Sequence, residues 1–244
     1  MNLEFIGQTL VTLLAGIPIT LELAALAIAG GALLGFAIAL MRLSQHPFLY
    51  VSAWLYVQII RSTPLLVLLF LIYYGLGQFS ALRSSFLWPV LKQAYWCAVI
   101  ALVINGSAFA AEIFRGGLLS VGRKEVEAAR ACGMSGILLY RRIVFPLAIR
   151  QALPAYSNEM VAMVKATSLA SLVTLMDVTG IAASIASSTY QPIPVFVAAG
   201  AIYLLINTLL TRAVRALEYR LTPHLRPAQY ATASAVTEAG VTPT

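Results

Sequence analysis

Apolar residues run almost unbroken over 10–41, with Glu22 the single charge in the stretch. Four more apolar stretches follow at 50–79, 94–114, 152–176 and 195–217, separated by polar connections. About 20 apolar residues suffice to cross a ~30 Å hydrocarbon layer as helix. The pattern therefore predicts an all-α polytopic membrane protein with five transmembrane helices. The first stretch exceeds the core of a signal peptide and lacks a preceding basic cluster, which predicts a retained helix.

Detail inside the spans refines this. Gly30, Gly31 and Gly35, interleaved with alanine, give a small-residue face suited to close helix packing. Arg61-Ser62-Thr63-Pro64 interrupts the second stretch, and a proline after Ser or Thr starts a helix readily. The second span is expected as two helical pieces meeting at a kink near Pro64. Arg61 then snorkels or faces the protein interior. Trp88, Tyr95 and Trp96 suit an interfacial aromatic belt. Glu112 and Arg115, three apart at the end of the third span, are placed to pair. Residues 177–194 carry Ser and Thr but no Lys or Arg, and read as an extracytoplasmic connection.

Composition agrees with the pattern. The chain of 244 residues is 60% hydrophobic and 10% charged, where soluble domains carry about a quarter charged residues. The net charge of +7 does not point to nucleic acid. Twelve of the sixteen Lys and Arg fall at Arg42, within 115–150, or within 212–226. The positive-inside rule puts those three places on the cytoplasmic side. Five spans then place the N-terminus in the periplasm and the C-terminus in the cytoplasm of a bacterial inner membrane. One transmembrane domain is expected over 1–222 and a disordered cytoplasmic tail over 223–244. Cys97 and Cys132 should lie at opposite ends of the third span, too far apart for a disulfide. No Cys/His cluster has metal spacing.

The most polar internal segment is 122–146. Helix formers occupy 124–130, Gly133 permits a turn with positive φ, a helix restarts over 137–142, and Pro146 opens the next segment. This predicts a cytoplasmic helix-turn-helix. Ala128, Ala129 and Ala131 form a small knob able to enter a partner's groove, and Glu127, Arg130, Arg141 and Arg142 supply charges at its rim. A basic hairpin that merely fixes topology would need neither the glycine nor the proline. No G-x(4)-G-K-[ST] phosphate loop occurs, so the chain cannot bind ATP by that route. There is likewise no extracytoplasmic domain large enough to capture a ligand.

Glu127-Ala128-Ala129, Gly133, Ile143 and Pro146 follow E-A-A-x(3)-G-x(9)-I-x-x-P, which resembles the coupling loop of permease subunits in ABC-type importers. Phe145 stands where leucine is usual. Arg61-Ser62-Thr63-Pro64-Leu65 is similar to the R-G-T-P-L of the polar amino-acid and opine branch, with Ser62 in place of glycine. Ala111-Glu112-Ile113-Phe114-Arg115-Gly116-Gly117 matches its A-E-I-x-R-G-G. The stretch from Leu153 through Asn158-Glu159 to Lys165 and Thr167-Ser168-Leu169 matches the following span. The likeness is strongest to M-type permeases for octopine, nopaline and histidine/lysine/arginine, and it runs over about 8–222.

That resemblance implies a type I importer permease fold and a non-catalytic subunit. It implies partnership with two copies of a cytoplasmic ATPase, a second homologous permease or a second copy of this chain, and a periplasmic substrate-binding protein. No cofactor of its own is implied, since the partner binds ATP. The coupling residues are then Glu127, Ala128, Ala129, Arg130, Gly133, Arg141, Arg142 and Pro146.

A charge at mid-membrane costs roughly 2.5–3.5 kcal/mol on insertion scales, so Glu22, Glu159, Lys165 and Arg61 need partners or water. Glu159 and Lys165 are six apart and project from different helix faces. Asn158 and Glu159 are expected to line a polar cavity meeting a cationic or zwitterionic solute. The structural alternative pairs Glu159 with Arg61. A stand-alone secondary transporter using Glu159 and Lys165 as an ion relay is the competing class, and the 124–146 segment speaks against it. An intramembrane enzyme finds no nucleophile–base pair here.

Overall fold

A computed structural model describes residues 3–221, and every regular element among them is helical. In chain order these are α1 (Leu3–Leu14), α2 (Ile17–Arg42), α3 (Pro47–Ser62), α4 (Leu65–Phe70), and the short α5 (Ser80–Arg83) and α6 (Trp88–Leu91). Then come α7 (Ala94–Leu119), α8 (Arg123–Ala131), α9 (Gly136–Leu139), α10 (Phe145–Ala166), α11 (Val178–Thr189) and α12 (Pro192–Leu221). The tail expected over 223–244 lies outside the described residues.

Helices α2, α7 and α12 are each long and apolar enough to cross a membrane. Two bent pairs supply the rest. Helix α3 meets the piece Leu65–Gln78 at 104°, and α10 with its continuation to Val173 meets α11 at 49°. Counted as one span each, they give five. The first bend falls where the sequence predicts it. Thr63 is extended at φ −96°, ψ 126°, because a residue before proline is pushed out of the α region.

Two expectations are corrected. The first apolar stretch is not one helix: it breaks between Leu14 and Ile17. Pro18 has no N–H and its ring would clash with the Leu14 carbonyl, so α1 must stop there. Residues 177–194 are not a plain connection, since α11 occupies most of them. Val178, Ile181, Ala182 and Ile185 make an apolar stripe that packs with Leu13 of α1 and Val195, Ala198 and Ile202 of α12. Serine and threonine between these positions hid that i, i+3, i+4, i+7 period.

The largest core lies between α2 and α7, around Leu23, Ala27, Ala98, Ala101 and Leu102. The small-residue face of α2 makes the approach possible. A Cβ on Gly35 would stand 2.7 Å from the Ala110 Cβ and 2.8 Å from the Ser107 carbonyl oxygen. Tyr56 of α3 ties in by reaching the Ser107 hydroxyl at 2.7 Å.

A buried polar knot locks the second bend. Asp177 is fully buried. Its Oδ1 accepts from the Gly180 N–H at 2.9 Å, capping α11, and its Oδ2 accepts from the Tyr203 hydroxyl of α12 at 3.0 Å. Beside it, the Thr20 hydroxyl of α2 accepts from the Val178 N–H at 3.3 Å and donates to the Gly16 carbonyl at 3.0 Å. Asp177→Ala leaves the Gly180 N–H without its acceptor and the Tyr203 hydroxyl with Thr179 alone, a loss of about 1–3 kcal/mol. Thermal unfolding in detergent should show a drop of several degrees, whereas Asp177→Asn should recover part of it by accepting at Oδ1.

Candidate functional site

The hairpin between α7 and α10 is built as a supported lever. Helix α8 ends in a Schellman turn: the Met134 N–H donates to the Ala129 carbonyl at 3.0 Å and the Gly133 N–H to Arg130 at 2.9 Å. Gly133 sits at φ +80°, the left-handed conformation this turn requires. After α9 the backbone widens into a π turn over Tyr140–Val144. Pro146 follows, and its ring would clash with the residue-142 carbonyl in a regular helix. Ala129, Leu139 and Val144 form a small core with Leu118, Val121, Val126, Met134 and Ile143. The lever is thus packed against the end of α7 and the entry to α10. At its root, a Cβ on Gly117 would meet the Ala148 carbonyl oxygen at 2.8 Å, so the two spans nearly touch.

Glu127, Ala128, Arg130, Gly133, Arg141 and Arg142 are all exposed, while Pro146 is partly buried. Ala129 is 5% exposed and belongs to the hairpin's own core, which corrects the three-alanine knob. Inward positions on a helix recur every three or four residues, and on α8 these are Val126 and Ala129. Ile137, 85% exposed beside Leu138 and Tyr140, adds an apolar tip that the sequence reading passed over. An isoleucine just past a helix-stop glycine, in a segment otherwise rich in charge, was its signal.

Near the hairpin, the expected Glu112–Arg115 pair forms at 2.8 Å. A third member joins from α2, with the Arg42 Nε donating to Glu112 Oε1 at 3.1 Å. Arg42 also lies over the Tyr50 ring at 4.9 Å. The motif residues Glu112 and Arg115 therefore clasp α2, α3 and α7 together at one end of the bundle.

The expected cavity shared by Asn158 and Glu159 is not what folds. Consecutive helix positions diverge by about 100°, and the two side chains serve different faces. Asn158 lines a groove of about 220 Å³ between α10 and α12 with Ser157, Arg215 and Glu218. A larger groove of about 640 Å³ continues from it, lined by Lys165, Tyr203, Asn207, Thr211, Arg212 and Arg215. Asn158 and Lys165, seven apart, share this face. Glu159 lines neither groove. It lies within electrostatic reach of Arg61, whose guanidinium stands over the Phe109 ring at 5.2 Å. Glu159 and Lys165 thus share neither of these grooves. Glu22, also left unpaired by the sequence, sits beside Tyr95.

A membrane-embedded helical bundle with a packed polar hairpin at one end and a polar groove along two of its helices has the architecture of a transport subunit. The chain belongs to the family of binding-protein-dependent transport system inner membrane components, whose pattern matches residues 6–223. It is 55% identical over 222 residues, 91% of each chain, to an octopine transport system permease protein of Rhizobium meliloti. It is 49% identical to a nopaline transport system permease protein of Agrobacterium fabrum, over 93% of this chain and 94% of that one. The crystal structure of an amino acid ABC transporter with histidines superposes with a TM-score of 0.79 at 34% identity, covering 90% of this chain and 99% of that chain.

The protein is accordingly a non-catalytic permease subunit of an ABC importer in the inner membrane, with the type I importer permease fold. ATP hydrolysis belongs to a partner ATPase, and solute delivery to a binding protein.

Proposed function

We propose that this chain moves a polar or basic amino acid, or an opine, into the cytoplasm as one of two permeases served by two ATPase copies. The second permease is a homologue or another copy of this chain, and a periplasmic binding protein hands over the solute. The reading is carried by nearly full-length identity to the octopine and nopaline permeases. In this arrangement the N-terminus is periplasmic and the C-terminus cytoplasmic, consistent with basic residues gathered near the hairpin and the end of α12.

The mechanism follows from the lever. ATP closes the ATPase dimer around the exposed face carrying Glu127, Ala128, Arg130, Gly133, Arg141 and Arg142. Because the hairpin core is continuous with α7 and α10 through Leu118 and Val144, the motion passes to the spans rather than bending a loose loop. Pro146 and the π turn place the joint at the entry to α10. Asn158, Glu159, Arg61 and Lys165 contribute to the solute path, with Glu159 and Arg61 on one face and Asn158 and Lys165 on another.

Cys132 gives a direct test, since it is exposed on the hairpin while Cys97 is buried. A thiol-directed photo-crosslinker placed there should capture the ATPase in membranes, with a yield that changes when ATP is added. Active uptake in cells where Cys132 never crosslinks to an ATPase would overturn the coupling role.

A further inference from the structure

We infer that an anionic phospholipid of the cytoplasmic leaflet seats an acyl chain in an apolar groove between α2, α7 and α10, with its phosphate on Arg141 and Arg142 at the mouth. The proposed function supplies only the leaflet; the groove and its charges do not depend on which solute is carried.

This groove measures about 640 Å³, within the roughly 300–1,000 Å³ of small-molecule sites. Its α10 wall is Phe145, Ala148, Ile149, Ala152, Leu153 and Tyr156, a spacing of three and four that makes one stripe of a helix. Phe36 of α2 and Phe114 of α7 close it. The rings stand in an unbroken row, Tyr140–Phe145–Phe36–Phe114–Tyr156, with successive centroids 5.9, 6.0, 6.2 and 5.1 Å apart. Among the described lining residues no polar side-chain atom is left free, since the one hydroxyl, on Tyr156, donates to the Ile28 carbonyl at 2.8 Å. A polar solute would shed its water there without gaining hydrogen bonds, and apolar cavities stay dry. Leu33, 76% exposed at the rim, faces hydrocarbon in a bilayer. An acyl chain is the occupant this lining fits.

Charge at the mouth selects the head group. The π turn brings residues five apart onto one side, which sets Tyr140 against Phe145 and leaves Arg141 and Arg142 exposed about one turn beyond the groove's end. Among the described residues neither arginine forms an ion pair. Arg115, next to Phe114, shares the single carboxylate of Glu112 with Arg42, so the clasp beside the groove is also net positive. Arginine holds phosphate through charge-assisted hydrogen bonds, and each basic group near a cytoplasmic surface favours an anionic lipid about fivefold. A transmembrane helix of a second permease would cover the apolar stripe but would offer nothing to these cations.

Brominated lipids test this in the purified permease–ATPase complex, reconstituted in phosphatidylcholine nanodiscs. A small fraction of brominated phosphatidylglycerol should quench the emission added by Leu33→Trp as strongly as an at least about fivefold larger fraction of brominated phosphatidylcholine. Val197→Trp, exposed on α12 outside the groove, should show no such preference. Arg141→Gln/Arg142→Gln, added to Leu33→Trp, should abolish the preference, and raised salt should shrink it with both arginines in place. Equal quenching by the two lipids at Leu33→Trp would overturn the inference, as would a preference untouched by both the arginine variants and salt. So would absence of quenching there with disulfide capture of Leu33→Cys by a cysteine in the second permease, which would assign the groove to a subunit contact. The measurement needs no transport, so failure of the unmodified importer to move octopine or arginine would overturn the proposed function and leave this site standing.

Discussion

Glu127→Lys is expected to cut ATP-driven uptake well over tenfold while the subunit's melting temperature stays within about 2 °C of its normal value. The two readouts separate because of where Glu127 stands. It is exposed on α8, and among the described residues it has no ion pair, so folding owes it little. A charge at a protein interface is different: losing one partner of a close pair costs about 2–5 kcal/mol, and reversal adds repulsion. Ala129→Glu should behave in the opposite way. Its side chain points into the hairpin core, so the charge would be buried without a partner and the lever itself would loosen. Uptake at the normal rate by Glu127→Lys, in an assembled complex, would remove this face from the docking surface.

Glu112→Ala is expected to be the most destabilising single change at the clasp, by about 3–5 kcal/mol. The Arg42 side chain is only 9% exposed and the Arg115 side chain 30%, and both would lose their carboxylate. Arg42 is the more exposed to harm, since its Nη1 is already buried without a hydrogen-bond partner. Arg115 can turn toward water; Arg42, beneath Tyr50, cannot do so easily. The double variant Arg42→Ala/Glu112→Ala should therefore be more stable than Glu112→Ala alone, a coupling of about 1–3 kcal/mol between neighbours. Melting curves of the three proteins in one detergent decide it. A double variant that simply adds both losses would mean the clasp is not a unit.

Much of the molecule was legible in its residues. Hydropathy located the spans because insertion depends on summed side-chain transfer, a local property. Pro64 located a bend, and Gly133 a left-handed turn, because both residues act through their own backbone torsions. Glu112 and Arg115 paired because three residues is under one helical turn. Pro18 carried the same kind of signal and was outweighed by the apolar run around it, which is why the first stretch read as one helix. Helix α11 escaped for a related reason, its apolar stripe being diluted by serine and threonine.

What remained hidden needed a second element to be known. Ala129 and Ala128 are alike in sequence; only the packing of α9 and Val144 against α8 turned one inward. Arg42 is 70 positions from Glu112, and nothing local announces that meeting. Asn158 and Glu159 are neighbours in the chain and strangers in the bundle, separated by which of α12 and α3 each one faces. The order of residues alone specified the class of solvent, the apolar spans, the polar hairpin and its turn glycine. Which polar groups share a face depended on how the helices pack, because helix period sets relative angles but only packing sets their absolute direction.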